Sequence, residues 1–263
     1  MRASFRPLLL AATVLALGLT GCATRPNPAD ADAVAEYREA DDPLEPTNRA
    51  FYAVNDAIDA AVLRPLAVAY RAAVPTPVRV HTHNVLTHLG TPVALFDDML
   101  SARPRRAGDS LMRLMINSTI GVAGIFDVAT DWGYPNHETD AGIAFALWGL
   151  PSGSFLFLPI LGPSNPRDLT GFGADIVMDP STWVGRGPVV QGIGYGRLFL
   201  GAVDARERVL DDLDKIKAQA LDPYATIRSL ARQHRASAID DARSDDRRTI
   251  PAWFPQPATP PTR

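Results

Sequence analysis

Cys22 is the residue whose type and surroundings point most directly to covalent chemistry. It is the only cysteine among the 263 residues, so the chain cannot form a disulfide bond within itself. It comes directly after an apolar run, residues 8–19, which in turn follows Arg2 and Arg6. A lone thiol in this position is a candidate for modification rather than for crosslinking.

The segment before Cys22 has the organisation of a secretory signal peptide, with a basic start, a short apolar stretch and small residues at its end. The apolar stretch is shorter than the about 20 residues that a membrane-spanning helix needs. The sequence Leu19-Thr20-Gly21-Cys22 resembles the bacterial lipoprotein box, in which the cysteine is acylated and becomes the new N-terminus. We therefore predict removal of residues 1–21 and lipid attachment to Cys22, with an ordinary signal peptide as the alternative.

Other patterns that resemble metal or enzyme sites are weak. His81, His83 and His88 are close in sequence, but only His81 and His88 share a helical face, and a zinc site needs a further ligand. The glycines of residues 192–196, GIGYG, have the wrong spacing for a dinucleotide-binding loop. The Gly-x-Ser-x-Gly signature of many serine esterases is missing from the sequence. We predict no catalytic residue, no metal and no cofactor apart from the lipid on Cys22.

Apolar residues recur at helical spacing through most of the chain after residue 43. Phe51, Val54, Ile58 and Val62 share one face of the first such segment, before Pro65 interrupts it. Further helices are predicted over residues 78–89, 91–103, 109–120, 198–220 and 222–235. Strand-like alternation is missing, so the sequence predicts a mainly α fold of several amphipathic helices.

Residues 141–168 are strongly apolar but are broken by repeated glycines and prolines, most densely over 147–168. Such a segment cannot cross a membrane as one helix, because unpaired backbone groups are costly in hydrocarbon. One alternative is a buried core loop or hairpin. The other is an interfacial segment, in which Phe155, Leu156, Phe157 and Leu158 lie at the surface of the bilayer.

Five collinear stretches are similar to the MlaA (VacJ) family of outer-membrane lipoproteins. They are residues 42–59, 64–70, 116–129, 147–168 and 222–235. The most specific parts are NSTIGVAGIFDVA, residues 117–129, and LPILGPSNPRD, residues 158–168. The resemblance therefore extends from Asp42 to Arg235.

The resemblance implies a ring-like, monotopic helical body in the inner leaflet of the outer membrane, beside trimeric porins. It also implies an amphipathic channel by which mislocalised phospholipid leaves the outer leaflet for a soluble, MlaC-like periplasmic carrier. Ala23 fits this location, since an aspartate after the cysteine would resemble the signal for inner-membrane retention. A lipid anchor and amphipathic helices are independently what a monotopic protein needs.

Four polar residues within otherwise apolar helices are candidates for the lining of such a channel. Asn55 and Asp56 interrupt one apolar face, and Arg113 and Asn117 are four residues apart, where helical side chains meet. Arg113 could hold a lipid phosphate by paired hydrogen bonds. The alternative is that these side chains are solvated or satisfy buried neighbours.

Charge and composition complete the predicted organisation. Without the two arginines of the signal peptide, 24 of the 26 Lys and Arg residues face 29 Asp and Glu residues, which argues against nucleic acid as a partner. We predict a signal peptide (1–21), a lipid-anchored flexible tether (22–42), a helical domain (43–235) and a charged, proline-rich disordered tail (236–263). Arg167 and Asp168 are expected to form an internal ion pair or a loop clamp.

The favoured function is that of a lipoprotein, not an enzyme, anchored in the periplasmic leaflet of the outer membrane. It would remove mislocalised phospholipid from the outer leaflet and so maintain lipid asymmetry. A structural lipoprotein that braces porins or the envelope would share the anchor and the helices. A periplasmic hydrolase is the enzymatic alternative, which the missing nucleophile motif disfavours.

Overall fold

The computed structural model describes residues 26–183 and 187–244. The signal peptide, Cys22 and residues 245–263 lie outside this part, so lipid attachment and the disorder of residues 245–263 stay predictions. The described chain is mainly helical, as the apolar periodicity predicts. Its helices are α1 (Ala31–Ala40), α2 (Glu45–Ile58), α3 (Arg64–Ala73), α4 (Thr76–Leu100), α5 (Pro104–Thr119), α6 (Val128–Asp131), α7 (Ala141–Leu147), α8 (Pro166–Met178), α9 (Pro188–Arg208), α10 (Leu210–Gln219) and α11 (Pro223–Ser244).

At the predicted interruption near Pro65, the helix changes from α-helical to π-helical hydrogen bonding and does not open into a loop. A π-helical turn, Asp59–Leu63, joins α2 directly to α3. Pro65 lies in the first turn of α3, where a helix does not require its backbone N–H as a donor.

α4 corrects the prediction of two helices separated at Gly90. The structure has one helix through this region, with Pro92 inside it. Proline cannot donate to the carbonyl of His88, one turn earlier, and normally ends or kinks a helix. Here α4 packs along the length of α5, and this tertiary packing outweighs the local stop signal.

The broken apolar segment contains the hairpin that was one of the two predicted alternatives. Strands β1 (Leu156–Leu158) and β2 (Gly162–Ser164) are antiparallel, with Phe157 opposite Pro163. Ile160 in the connecting turn has a φ of 70°, a conformation that β-branched residues seldom adopt. The hairpin precedes α8 and packs against α2.

Several predicted boundaries differ from the structure. α1 lies within the predicted tether, since its alanine-rich sequence favours helix without apolar periodicity. The predicted helix over 198–220 is divided near Val209 into α9 and α10. α11 continues past residue 235, because Ala238 and Ala242 pack in a core cluster with Ile143.

The interior of the described chain is unusually polar. Its largest fully buried side chains include Asn48, Asp97 and Asp98 as well as Tyr224 and Ile143. Many large apolar side chains are exposed instead, on the helices and on the hairpin tip. None of the helices within residues 26–183 and 187–244 combines the length and hydropathy that a membrane-spanning helix requires.

Candidate functional site

Asn48 of α2 fixes the first strand of the hairpin. Its side-chain amide donates to the backbone carbonyl of Phe155 across 3.1 Å, and its carboxamide oxygen accepts from the N–H of Phe157 at 2.8 Å. The same amide group donates to Asp42 at 2.7 Å. Because Asn48 is buried, each of these partners satisfies a polar group that water cannot reach. The side chain of Asn48 therefore hydrogen-bonds to the backbone of β1 and its neighbour Phe155 as an adjacent strand would.

Asn55, a predicted channel residue, holds the far end of the same hairpin. Its amide donates to the carbonyl of Leu158 at 2.9 Å, and its oxygen accepts from the N–H of Ile160 at 2.8 Å. The neighbouring Asp56 lies 2.6 Å from the ammonium of Lys217. Lys217 is also 2.7 Å from Asp59, so it joins α10 to α2 and the π-helical turn.

The prediction that the run 155–158 lies in the bilayer interface is wrong for its two aromatic residues. Phe155 and Phe157 are each only 5% exposed and pack with Tyr224. Successive side chains of a strand point to opposite faces, so an apolar run need not be exposed on both faces. Leu156 and Leu158, on the other face, are half-buried.

Sequence reasoning missed the residues that the hairpin does expose. Ile160 at the tip is 84% exposed and Leu161 is 51% exposed. The signal was present in the sequence, since the two residues lie between Pro159 and Gly162, where a turn is expected.

Arg113 and Asn117 lie on one side of α5, as their spacing predicts, and both bind Asp127 in the loop before α6. Nη2 of Arg113 donates to Asp127 at 3.0 Å, and the amide of Asn117 donates to the same carboxylate oxygen at 2.9 Å. Nη1 of Arg113 donates to the hydroxyl of Thr130 and to the carbonyl of Tyr134, at 2.8 and 2.6 Å.

These contacts also determine the charge state of Asp127. Burial alone would raise the pKa of this carboxyl, but hydrogen bonds from Thr130, Asn117 and Arg113 and the charge of Arg113 hold its pKa below the usual value. Both terminal nitrogens of Arg113 thus have protein acceptors, which favours a structural role over phosphate binding. A lipid-channel role for Asn55, Asp56, Arg113 and Asn117 stays a prediction.

The histidines of α4 do not form a metal site in the described residues. His83 lies 2.8 Å from the carboxylate of Asp204 on α9, and His88 lies 3.0 Å from the hydroxyl of Ser118 on α5. His81 contacts the backbone carbonyl of Ile125 at 3.0 Å. Across residues 26–183 and 187–244, no group of three or more potential ligands is arranged for a metal ion.

A cavity of about 560 Å³ lies among the hairpin, α8 and α11. Arg167 and Asp168 contribute to its wall and form the predicted ion pair, at 2.9 Å. Arg235 of α11 also lies on the wall and joins Asp140, at 2.7 Å, to Asp168, at 2.9 Å. Burial alone would raise the pKa of Asp168, but the hydrogen bonds and charges of Arg235 and Arg167 lower it. The cavity wall is therefore both strongly charged and internally paired.

Asp175 on the wall of this cavity forms a pair of carboxyl groups with Asp97 of α4. Burial, together with the charge of Asp175, raises the pKa of Asp97 to about 8. Burial raises the pKa of Asp175 as well, although its carboxylate accepts a hydrogen bond from the N–H of Ala141 at 3.1 Å. The sequence signal was an acidic residue inside each of two apolar helical segments, but nothing in the sequence placed the two helices side by side.

The fold and these contacts define a class of protein: a mainly helical body with many buried polar and ion-paired groups, many exposed apolar side chains and a hairpin held by side-chain hydrogen bonds. The chain belongs to the MlaA lipoprotein family, whose model matches residues 40–238. This match includes the stretches on which the sequence resemblance was based.

Similar proteins agree with this assignment. The chain is 30% identical to the intermembrane phospholipid transport system lipoprotein MlaA of Haemophilus influenzae, over 89% of this chain and 91% of that protein. It is 28% identical to the lipoprotein of the same description from Escherichia coli, over 82% of this chain and 83% of that protein. A structure solved to explain the maintenance of bacterial outer membrane lipid asymmetry matches with a TM-score of 0.66 at 26% identity, covering 75% of this chain and 98% of that chain.

Proposed function

We propose that this chain is an outer-membrane lipoprotein that transports phospholipid between membranes and thereby maintains the lipid asymmetry of the outer membrane. The observation that carries this proposal is its membership of the MlaA family over residues 40–238. Its similarity to the Haemophilus influenzae lipoprotein over nearly the whole of both chains adds support.

The distribution of side chains is what this function requires. A protein that works within one leaflet must present apolar groups to acyl chains and keep its polar groups satisfied internally. The described chain has exposed apolar residues at the hairpin tip, such as Ile160, and in the loop after α5, such as Val122 and Phe126. Its buried charges are ion-paired, as in the contact between Arg206 and Asp59 at 2.6 Å.

The finer parts of the proposal concern the anchor, the path and the partners. An acyl group on Cys22 would hold the body at the periplasmic leaflet. Phospholipid from the outer leaflet would then pass through an amphipathic channel beside a trimeric porin to a soluble, MlaC-like periplasmic carrier. No step in this path breaks a covalent bond, so the chain would act as a transporter and not as an enzyme.

The test compares outer-leaflet phospholipid in cells that have or lack this chain. Deletion should increase outer-leaflet phospholipid and sensitivity to detergent, and expression of the full chain should reverse both. Cys22→Ala should move the protein from the membrane fraction to the soluble fraction and should not restore asymmetry. Unchanged leaflet composition after deletion would contradict the proposal and favour a structural lipoprotein, whereas cleaved lipid in a purified assay would favour a hydrolase.

A further inference from the structure

We propose that the cavity among the hairpin, α8 and α11 binds the zwitterionic headgroup of a phospholipid, with the phosphate at Arg167 and the ammonium group at Asp41. This inference rests on the proposed transport function and assigns a binding site for its substrate. The volume of about 560 Å³ lies within the usual range for small-molecule sites.

Arg167 supplies the anion-binding group. Its side chain is more than nine-tenths buried, Nε donates to one oxygen of Asp168 at 3.0 Å, and Nη2 lies 2.9 Å from the same oxygen. This arrangement fixes the guanidinium in the cavity wall while leaving Nη1 for a further acceptor. An arginine that is held in this way can bind a phosphate oxygen without first losing side-chain freedom.

The opposite charge is also present, which favours a zwitterion over a simple anion. Asp41 lies at the exposed edge of the same cavity, and its described hydrogen bonds use only its backbone groups. Arg167 and Arg235 share the carboxylates of Asp140 and Asp168, so these four side chains carry no net charge together. Arg167 and Asp41 therefore place a cationic and an anionic group on one wall, which also contains Arg232, His234 and Asp175. Groups of both signs suit a phosphate and an ammonium group of the same headgroup.

An apolar track leads out of the cavity along α8. Phe172 lies on the cavity wall and is 45% exposed. Leu169 and Ile176 are three residues before it and four residues after it, on the same helical face, and both are exposed. A free phosphate would gain nothing from this track, whereas the acyl chains of a lipid could lie along it.

Two neighbouring residues of α11 provide a matched pair of variants. Ala236 is exposed and lies on the cavity wall, so Ala236→Trp should fill the cavity without removing a hydrogen bond. Ser237 is also exposed but is not one of the residues that line the cavity, so Ser237→Trp is the control. Circular dichroism and unfolding in detergent should show that both variants fold.

The experiment is calorimetric titration of the full acylated chain in detergent with short-chain phosphatidylethanolamine. Short-chain phosphatidylglycerol, phosphoethanolamine and inorganic phosphate serve as comparison ligands. We expect phosphatidylethanolamine to bind best, Ala236→Trp to weaken it at least tenfold and Ser237→Trp to leave it unchanged. Equal binding of phosphatidylglycerol, equal binding of inorganic phosphate, or full binding by Ala236→Trp would each overturn the inference.

The cellular assay separates this inference from the function on which it rests. If Ala236→Trp restores outer-membrane asymmetry to the deletion strain as well as the parent chain does, the cavity is not the transport site although the proposed function stands. If deletion itself leaves asymmetry intact, the proposed function fails first.

Discussion

Asn55 donates its side-chain amide to the backbone carbonyl of Leu158, 2.9 Å away on the hairpin. Its carboxamide oxygen accepts from the N–H of Ile160 at 2.8 Å, so one side chain pairs with the backbone on both sides of Pro159. Each strand of the hairpin has only three residues, and a sheet this short provides little stability of its own. The position of the tip therefore depends on α2.

Replacing Asn55 should loosen the tip. Asn55→Ala removes both partners, and we expect the free energy of unfolding to fall by about 1 kcal/mol, since the site is partly exposed. Amide hydrogen exchange at Ile160 should accelerate more than exchange at Phe157, which Asn48 holds. Asn136→Ala, at an exposed position, is the control. Unchanged exchange at Ile160 would show that the tip is held by other contacts.

The exposed tip should contribute to membrane binding. Insertion of Ile160 into a bilayer removes its side chain from water, which stabilises the bound state by about 1.5 to 3 kcal/mol. In a Cys22→Ala background, Ile160→Asp should therefore lower the partition coefficient onto liposomes at least tenfold, as measured by flotation. Leu221→Asp is the comparison, since Leu221 is fully exposed in the junction between α10 and α11. Equal losses in both variants would mean that the tip has no specific role.

The ion pair between Arg113 and Asp127 should be structural. Asp127→Ala would leave a buried guanidinium without its counter-charge, at a cost of about 3 to 5 kcal/mol. Chemical unfolding in detergent measures this cost, and Asp127→Asn should be milder because it keeps an oxygen acceptor. Arg113→Gln tests the predicted lipid contact. If this variant keeps its stability but co-purifies with less phospholipid than the parent chain, the lipid contact is supported.

Stability should fall with increasing pH because of Asp97. The folded state raises the pKa of this carboxyl from 3.8 to about 8, so the folded chain keeps a proton that the unfolded chain releases. The free energy of unfolding therefore decreases between about pH 4 and pH 8, by at most about 1.4 kcal/mol per pH unit. The pKa of Asp175 is also raised by burial, so this carboxyl changes stability in the same direction.

Asp97→Asn tests the assignment because it keeps the shape and a hydrogen-bond donor without the titration. We expect a flatter dependence of stability on pH and a higher urea midpoint at pH 8, with little change at pH 5. Asp131→Asn, at an exposed position, is the control. If the stability of Asp97→Asn depends on pH in the same way as that of the parent chain, Asp97 does not cause the pH dependence.

The sequence predicted features that depend on local spacing. Helical periodicity located most helices, and the interval of four residues between Arg113 and Asn117 correctly placed both side chains on one side of their helix, where they share Asp127. It did not predict that α4 continues through Pro92, because packing along α5 decides that outcome. A single-sequence pattern contains no information on such tertiary contacts.

In the candidate site, too, contacts between residues close in sequence were predicted and contacts between distant helices were not. Arg167 and Asp168 are adjacent, and their ion pair was predicted. The approach of Asp97 to Asp175, and of Arg235 to Asp140, depends on how α4, α8 and α11 are arranged in space. Phe155 and Phe157 were predicted to lie at the membrane interface but are buried. A continuous apolar run does not show which face of a strand packs against the protein.

The many buried polar groups and the many exposed apolar side chains also affect how stability depends on temperature. The heat capacity change of unfolding comes mainly from apolar surface that becomes newly hydrated. In this chain many large apolar side chains are already uncovered before unfolding, whereas many buried groups are charged or polar. The heat capacity change per residue should then be small and the stability curve broad, so that neither moderate cooling nor moderate warming brings the molecule near its unfolding transition.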